Sequence, residues 1–133
     1  MNSEQIIASL KELVATGDAP GKVLTDPADL DTYGKDWTKI HPPKPLAIVL
    51  PKTTEQVEAV VKFANEHKVA LVPSGGRTGL SAGAVASNGE VVVAFDNMNQ
   101  ILEFNASDRT VRCQSGVVTE QLQNFAEENG LYY

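Results

Sequence analysis

The sequence predicts an α/β domain: a small parallel β-sheet flanked by helices, with a short hairpin added. Two apolar segments, Leu46–Leu50 and Val69–Val72, enclose a segment with helical spacing of apolar residues. This order is typical of a βαβ unit with parallel strands and a right-handed crossover. A third apolar segment, Val91–Phe95, has the continuous apolar character of a strand covered on both faces. Between the second and third segments lies a glycine-rich stretch, Val72–Val85.

The first 45 residues are predicted to form a helix followed by an irregular arm. Ser3–Ala15 carries one apolar stripe, with Ser3 as the expected cap and Gly17 as the stop signal. Residues 18–45 contain five prolines and no sustained period, so we expect an extended arm with one helical turn near Pro27–Leu30. Trp37 in this arm has two interpretations: an anchor that packs the arm on the body, or a contact with a ligand or a partner domain.

Residues 46–133 are predicted to form the α/β unit itself. Thr53 and Gln56 have the spacing of a capping box for a helix over Thr54–His67. This helix connects the strands Leu46–Leu50 and Val69–Val72.

A hairpin and a last helix follow the third strand. Ile101–Phe104 and Thr110–Cys113 are predicted as the two hairpin strands, joined by a turn at residues 105–108. Thr119–Asn129 has helical spacing, with Gly130 at its C-cap. Cys113 is expected to be a small buried apolar residue.

Composition excludes several classes of function. The chain has 133 residues and a net charge of −6, which argues against a general nucleic-acid or anionic-membrane binder. The single cysteine, Cys113, allows no disulfide within the chain and fits a reducing compartment. The sequence shows no signal-peptide pattern and no apolar segment of membrane-spanning length, so we expect a cytoplasmic protein.

The glycine-rich stretch is the main candidate for chemistry. It carries Gly75, Gly76, Gly79 and Gly83 with nearby hydroxyl groups, and it leaves the carboxyl end of a strand, where ligands bind in open α/β sheets. Backbone amides in such a loop can face an anion. Neither the G-x-G-x-x-G nor the Walker A spacing is present, and a flexible connection remains an alternative.

The charged residues near this stretch give no complete catalytic set. Arg77 can pair with a phosphate, pair with a carboxylate or simply face solvent. His41 and His67 have no partners at metal-ligand spacing, so no metal site is expected. No paired carboxylates and no nucleophile–base pair emerge, and no catalytic residue is predicted.

Longer motifs resemble a known family. Residues 45–57 (PLAIVLPKTTEQV) and 64–79 (ANEHKVALVPSGGRTG), continued by 96–101 and 111–117, are similar to the FAD-binding domain of the vanillyl-alcohol oxidase / p-cresol methylhydroxylase type. Tyr33, Asp36 and Trp37 in the arm, with the Gly-Gly-Arg-Thr-Gly-Leu loop, most resemble the branch that oxidises D-2-hydroxy acids. D-lactate dehydrogenases, D-2-hydroxyglutarate dehydrogenases and the glycolate oxidase flavin subunit belong to that branch.

The resemblance implies a set of cofactor-binding residues. Backbone amides of residues 74–79 would hold the FAD pyrophosphate, and residues 80–84 would run toward the flavin. The implied cofactor-binding residues are Pro73, Ser74, Gly75, Gly76, Arg77, Thr78, Gly79, Leu80, Gly83 and Ala84. Relatives that bind the flavin covalently carry a histidine at the place of Arg77, so we expect non-covalent FAD.

The resemblance also implies what this chain would lack. Members of the family are several hundred residues long, so we expect a fragment whose FAD-binding subdomain, residues 46–133, is truncated at its C-terminal side. The substrate domain, which would bind the 2-hydroxy acid, would follow, and the electron acceptor is unknown. The fragment alone is expected to be inactive. Two alternatives stay open: a stand-alone phosphate- or nucleotide-binding module without redox activity, and a structural domain whose loop is only a connector.

Overall fold

The computed structural model describes all 133 residues and contains one four-stranded sheet and one two-stranded sheet. The strands are β1 (Lys22–Leu24), β2 (Ala47–Leu50), β3 (Leu71–Ser74), β4 (Val91–Ala94), β5 (Ile101–Asn105) and β6 (Thr110–Cys113). The main sheet has the order β1-β2-β4-β3. β4 is parallel to both of its neighbours, and only β1 is antiparallel. The parallel sheet and the antiparallel hairpin are therefore as predicted, although β4 lies between the two strands of the βαβ unit.

Four helices accompany the sheets: α1 (Ser3–Val14), α2 (Pro27–Tyr33), α3 (Thr54–His67) and α4 (Thr119–Glu128). The predicted bounds of α3 are confirmed, because a Thr53 cap and a clear apolar period define that segment. The predicted cap of α1 is wrong. Asn2 is the N-cap, and it forms a capping box with Gln5.

The main sheet is buried on both faces, as its continuous apolar strands predict. On one face, Val49 and Val91 pack with Leu10, Val14 and Val60 from α1 and α3. The opposite face carries a second cluster, which consists of Ile48, Leu50, Ala86, Val92 and Ala94, with Leu30 and Tyr33 of α2 packed against it. Helix α2 thus covers the sheet face that lacks α1 and α3.

Gln56 forms only half of the predicted capping box. Its backbone N–H donates to the Thr53 hydroxyl at 3.3 Å. Its side chain is buried, accepts a hydrogen bond from the Lys52 N–H at 2.8 Å and donates to the carbonyls of Thr16 and Ala19. The side chain therefore joins the start of α3 to the loop after α1.

Three expectations for the arm and the hairpin are wrong. The irregular arm contains β1 and the full helix α2. Trp37 does not anchor the arm, since 71% of its surface is exposed. Cys113 is exposed, because both strands of the hairpin lie largely at the surface.

The hairpin and α4 form a small second layer. Phe104 and Phe125 join them in an edge-to-face contact with ring centroids 5.5 Å apart. The predicted turn is present: the Asp108 N–H donates to the Asn105 side chain at 3.0 Å. No helix in the chain is both long enough and apolar enough to cross a membrane.

Candidate functional site

The glycine loop, residues 75–84, begins where β3 ends. None of its four glycines has a positive φ angle. A Cβ atom at Gly75, Gly79 or Gly83 would have no chain atom within 4 Å, and at Gly76 it would only approach Thr78 at 4.0 Å. Neither backbone conformation nor internal packing therefore requires glycine here. The small residues leave bare backbone facing open space, which suits close approach of a ligand.

Beside Gly75 and Gly76, this open space is a cavity of about 520 Å³ between the glycine loop and the start of α4. The loop contributes Gly75, Gly76, Arg77 and Thr78, and the facing wall consists of Ser115, Gly116, Val117, Val118, Thr119 and Gln121. No side chain caps the N-terminus of α4. Its first N–H groups and the loop amides are hydrogen-bond donors suited to an anion. A depression of about 560 Å³ on the other side of α4 is more open and includes no glycine.

Gly116 is the point where the segment before α4 lies against the turn after β4. Its N–H donates to the Met98 carbonyl at 2.8 Å. A Cβ atom at this position would lie 1.8 Å from the carbonyl oxygen of Phe95. Only glycine allows the segment before α4, which lines the cavity, to contact the turn after β4.

Arg77 is paired with a carboxylate inside the protein. Its guanidinium donates to the two carboxylate oxygens of Asp96 at 2.9 and 3.1 Å, and to the Gly75 carbonyl at 2.9 Å. It also lies over the ring of Tyr33, 4.7 Å from the centroid. Hydrogen bonding to Asp96 raises the pKa of Arg77 above its ordinary value. Among the three interpretations of Arg77, the structure shows the carboxylate pair.

Asp36 is a buried carboxylate that holds the far end of the glycine loop. One carboxylate oxygen accepts the N–H of Ala82 at 3.1 Å, and the other accepts the hydroxyl and N–H of Thr38 at 2.6 and 3.0 Å. The hydrogen bond from the Thr38 side chain is the main cause that lowers the pKa of Asp36. Asp36 therefore stays ionised near neutral pH and keeps Ala82 in place.

The remaining predicted site residues lie in and around the loop. Pro73 stands in the edge strand β3, where its missing N–H removes no ladder bond from the sheet interior. The buried Ser74 side chain faces Arg77, with its hydroxyl 3.3 Å from the guanidinium. Leu80 is 69% exposed. Gly79, Gly83 and Ala84 are also outside the lining of the cavity.

Sequence reasoning did not single out three groups that shape the site: Asp36, Asp96 and the residues 115–119. Asp36 lies 46 residues from Ala82, and Asp96 lies 19 residues from Arg77. Contacts between residues this far apart in the sequence produce no pattern of neighbouring residues that could predict them. Asp36 and the segments around Asp96 and Val117 did carry the family resemblance, and this was the one signal that pointed to them.

The sequence profile of a family described as FAD binding domain matches residues 45–133. The chain belongs to this family. FAD is therefore the cofactor of the domain, as the resemblance implied. Membership also supports the flavoprotein interpretation over a phosphate-binding module without redox activity.

Two bacterial relatives show the extent of the match. The chain is 67% identical, over all 133 residues, to a D-2-hydroxyglutarate dehydrogenase of Stutzerimonas stutzeri (strain A1501), and it spans 28% of that protein. It is 54% identical over 112 residues, 84% of the chain, to a D-2-hydroxyglutarate dehydrogenase of Xanthomonas citri pv. viticola, of which this match covers 24%. The chain thus spans about a quarter of the length of these relatives.

Solved structures of other proteins share the fold. A structure of p-cresol methylhydroxylase with substrate bound matches 96% of the chain and 25% of that protein, with a TM-score of 0.74 and 26% identity. Alkyldihydroxyacetonephosphate synthase matches 98% of the chain and 26% of that protein, with a TM-score of 0.79 and 19% identity, which shows the fold alone. The predicted first subdomain of a p-cresol methylhydroxylase-type fold is confirmed.

Proposed function

We propose that the chain holds the pyrophosphate of FAD in the cavity between the glycine loop and the N-terminus of α4. The enzyme it serves is a flavin-dependent dehydrogenase that oxidises a D-2-hydroxy acid to a 2-oxo acid. One observation carries the cofactor site: Gly75 and Gly76, which neither backbone conformation nor packing requires to be glycine, line this cavity at the carboxyl end of a parallel strand. Residues 46–133 act as the FAD-binding subdomain, and residues 1–45 support it.

Neutral donors would hold the pyrophosphate. The cavity has one cationic side chain in its lining, Arg77, and that charge is already paired with Asp96. The backbone N–H groups of Gly75 and Gly76, the Thr78 hydroxyl and the N–H groups at the start of α4 remain for the anion. Such a site needs no net positive charge in the chain, in agreement with the net charge of −6.

The flavin is proposed to be bound without a covalent link through this loop. Arg77 stands where covalently flavinylated relatives carry a histidine, and a guanidinium engaged with Asp96 is a poor nucleophile. When bound, FAD supplies the acceptor for the hydride that leaves the α-carbon of the hydroxy acid. This chain contributes position and electrostatic support to the cofactor.

D-2-hydroxyglutarate is the first substrate to test, because both bacterial relatives are D-2-hydroxyglutarate dehydrogenases by name. A D-lactate dehydrogenase of Anaerostipes hadrus, 37% identical over 130 residues, makes D-lactate the second. The electron acceptor is a further protein or small molecule outside this chain. We propose a cytoplasmic location, since the exposed Cys113 suits a reducing compartment.

The cofactor is tested on the full-length protein. Purified protein should absorb near 450 nm, roughly where oxidised flavins absorb, and acid precipitation should release the yellow colour into the supernatant. Colour that stays with the precipitate would contradict non-covalent binding. Protein that neither retains FAD nor takes it up would overturn the proposed site.

The substrate is tested by following bleaching of the flavin without oxygen. D-2-hydroxyglutarate should reduce the flavin, and L-2-hydroxyglutarate serves as the matched control for chirality. D-lactate and glycolate report on the breadth of the substrate class. A flavin that none of these acids reduces would overturn the dehydrogenase assignment while leaving FAD binding intact.

A further inference from the structure

Two residues of the arm, outside the matched family residues, contact the glycine loop. The family profile begins at residue 45, whereas Tyr33 and Asp36 lie at and just after the end of α2. Tyr33 packs against the sheet through the cluster around Ile48 and Val92. The ring of Tyr33 and the carboxylate of Asp36 thus contact the loop from the end of α2, which is packed on the sheet.

Asp36 holds the loop at a residue with a left-handed backbone. Ala82 has a φ angle of +61°, in the left-handed region that residues other than glycine rarely adopt. Its N–H donates to the Asp36 carboxylate at 3.1 Å. Asp36 is 4% exposed and accepts hydrogen bonds only from neutral groups, so its charge is stabilised by these donors alone. The bond to Ala82 therefore stabilises both the carboxylate and the left-handed turn.

Tyr33 holds the other end of the same loop. Its ring faces the guanidinium of Arg77, which also has a left-handed backbone, with a φ angle of +57°. Arg77 in turn binds Asp96, at the carboxyl end of β4. The loop thus has two left-handed residues, and each one is contacted by the arm.

We propose that Tyr33 and Asp36 are positioning residues that hold the glycine loop in the conformation that receives the FAD pyrophosphate. This inference rests on the proposed function. The arm acts on the cofactor through the loop: Asp36 fixes Ala82, and Tyr33 fixes Arg77. Neither residue lines the cavity itself.

The test compares Asp36→Asn with Asp18→Asn in the full-length protein. An asparagine keeps the volume but replaces one carboxylate oxygen with an NH2 donor, so it cannot accept the N–H of Thr38 and the N–H of Ala82 on separate atoms as Asp36 does. Asp18 is exposed and forms no side-chain hydrogen bond. FAD affinity is measured by titrating the apoprotein, and amide hydrogen exchange of residues 79–85 is measured in the apoprotein.

We expect Asp36→Asn to raise the FAD dissociation constant on the order of ten-fold, the effect of losing one hydrogen bond to a charged group. Exchange should accelerate in residues 79–85 and stay unchanged in β2 and β4. Asp18→Asn should change neither quantity. Tyr33→Phe should retain FAD affinity and Tyr33→Leu should weaken it, because the aromatic ring makes the contact with Arg77.

Three outcomes would overturn the proposal: unchanged FAD affinity in Asp36→Asn, unchanged loop exchange, or accelerated exchange across the whole sheet, which indicates a merely structural role. If Asp36→Asn does not fold, Ala82→Val disturbs the same contact from the loop side, because a β-branched residue disfavours a positive φ angle. Wild-type protein that binds no FAD would instead refute the proposed function. The exchange comparison would then still report separately whether Asp36 holds the loop.

Discussion

The guanidinium of Arg77 and the carboxylate of Asp96 form a two-pronged ion pair that links the carboxyl ends of two neighbouring parallel strands. The two hydrogen bonds are 3.1 and 2.9 Å long. Arg77 follows β3 and Asp96 follows β4, so the pair ties the glycine loop to the centre of the sheet. The loop is thereby anchored at the same edge of the sheet where the cavity opens.

The first prediction is that Arg77 and Asp96 are energetically coupled. Their side chains are 22% and 34% exposed, so solvent screens the pair in part, and we expect a coupling energy of about 1 kcal/mol. The measurement is a double-mutant cycle of Arg77→Met and Asp96→Asn by urea unfolding of the apoprotein. The exposed pair of Arg112 and Glu103 is the control and should give a smaller value. If the losses in free energy of unfolding at Arg77 and Asp96 simply add in the double variant, the two side chains are not coupled, and the pair does not anchor the loop.

The second prediction concerns Gly116, where the chain has no room for a side chain. A Cβ atom would lie 1.8 Å from the Phe95 carbonyl oxygen and 2.8 Å from that of Met98, and both are backbone atoms. Gly116→Ala should therefore destabilise the protein by about 3 kcal/mol or more. Denaturant unfolding measures this loss. Gly75→Ala is the matched control, because open space surrounds that position. Equal stability of the two variants would contradict the close approach of Gly116 to the carbonyl groups of Phe95 and Met98.

Local signals made most of the elements predictable. In α3, a capping threonine and a regular apolar period occur together, and the bounds follow from them. β3 begins two residues later than its apolar residues suggest, because the left-handed Lys68 and the bond from Val69 N–H to the Ala64 carbonyl extend the turn after α3. β1 has three residues and no period, and it forms by pairing with β2.

The parts of the site that escaped prediction depend on contacts distant in sequence. The glycine loop is visible in the sequence, but the partners of Arg77 and Ala82 are set by the strand order. That order places β4, and so Asp96, beside β3. Asp36 reaches Ala82 because α2 packs across the sheet. No spacing rule could supply these pairs, since each one is a consequence of the tertiary fold.

The third prediction is a pH dependence caused by Asp36. Its pKa is lowered in the folded protein, mainly by the hydrogen bond from the Thr38 side chain. A lowered carboxyl pKa adds stability above the unfolded value of about 3.9, and this stability is lost as the pH falls through the folded value. The difference in Tm between wild type and Asp36→Asn should thus be constant from about pH 7 to pH 5 and shrink below about pH 4. Glu55, whose pKa is also lowered, is present in both proteins and cancels. A difference that grows on acidification would contradict this assignment.

The fourth prediction separates stability from cofactor binding at Gly76. Its φ angle is not positive, and a Cβ atom would have only Thr78 atoms at 4.0 Å nearby. Gly76→Ala should therefore stabilise the apoprotein by roughly 0.4–1 kcal/mol, because alanine restricts the unfolded chain. The same methyl group would occupy the space proposed for the pyrophosphate, so FAD affinity should fall on the order of ten-fold or more.

Gly17→Ala is the control with the opposite expected pattern. The φ angle of +84° at Gly17 predicts a loss of stability, and its place after α1, outside the cavity, predicts unchanged FAD affinity. Unfolding curves of the apoproteins and FAD titrations measure both quantities. A Gly76→Ala variant that gains stability and binds FAD as tightly as wild type would show that the glycine loop does not hold the cofactor.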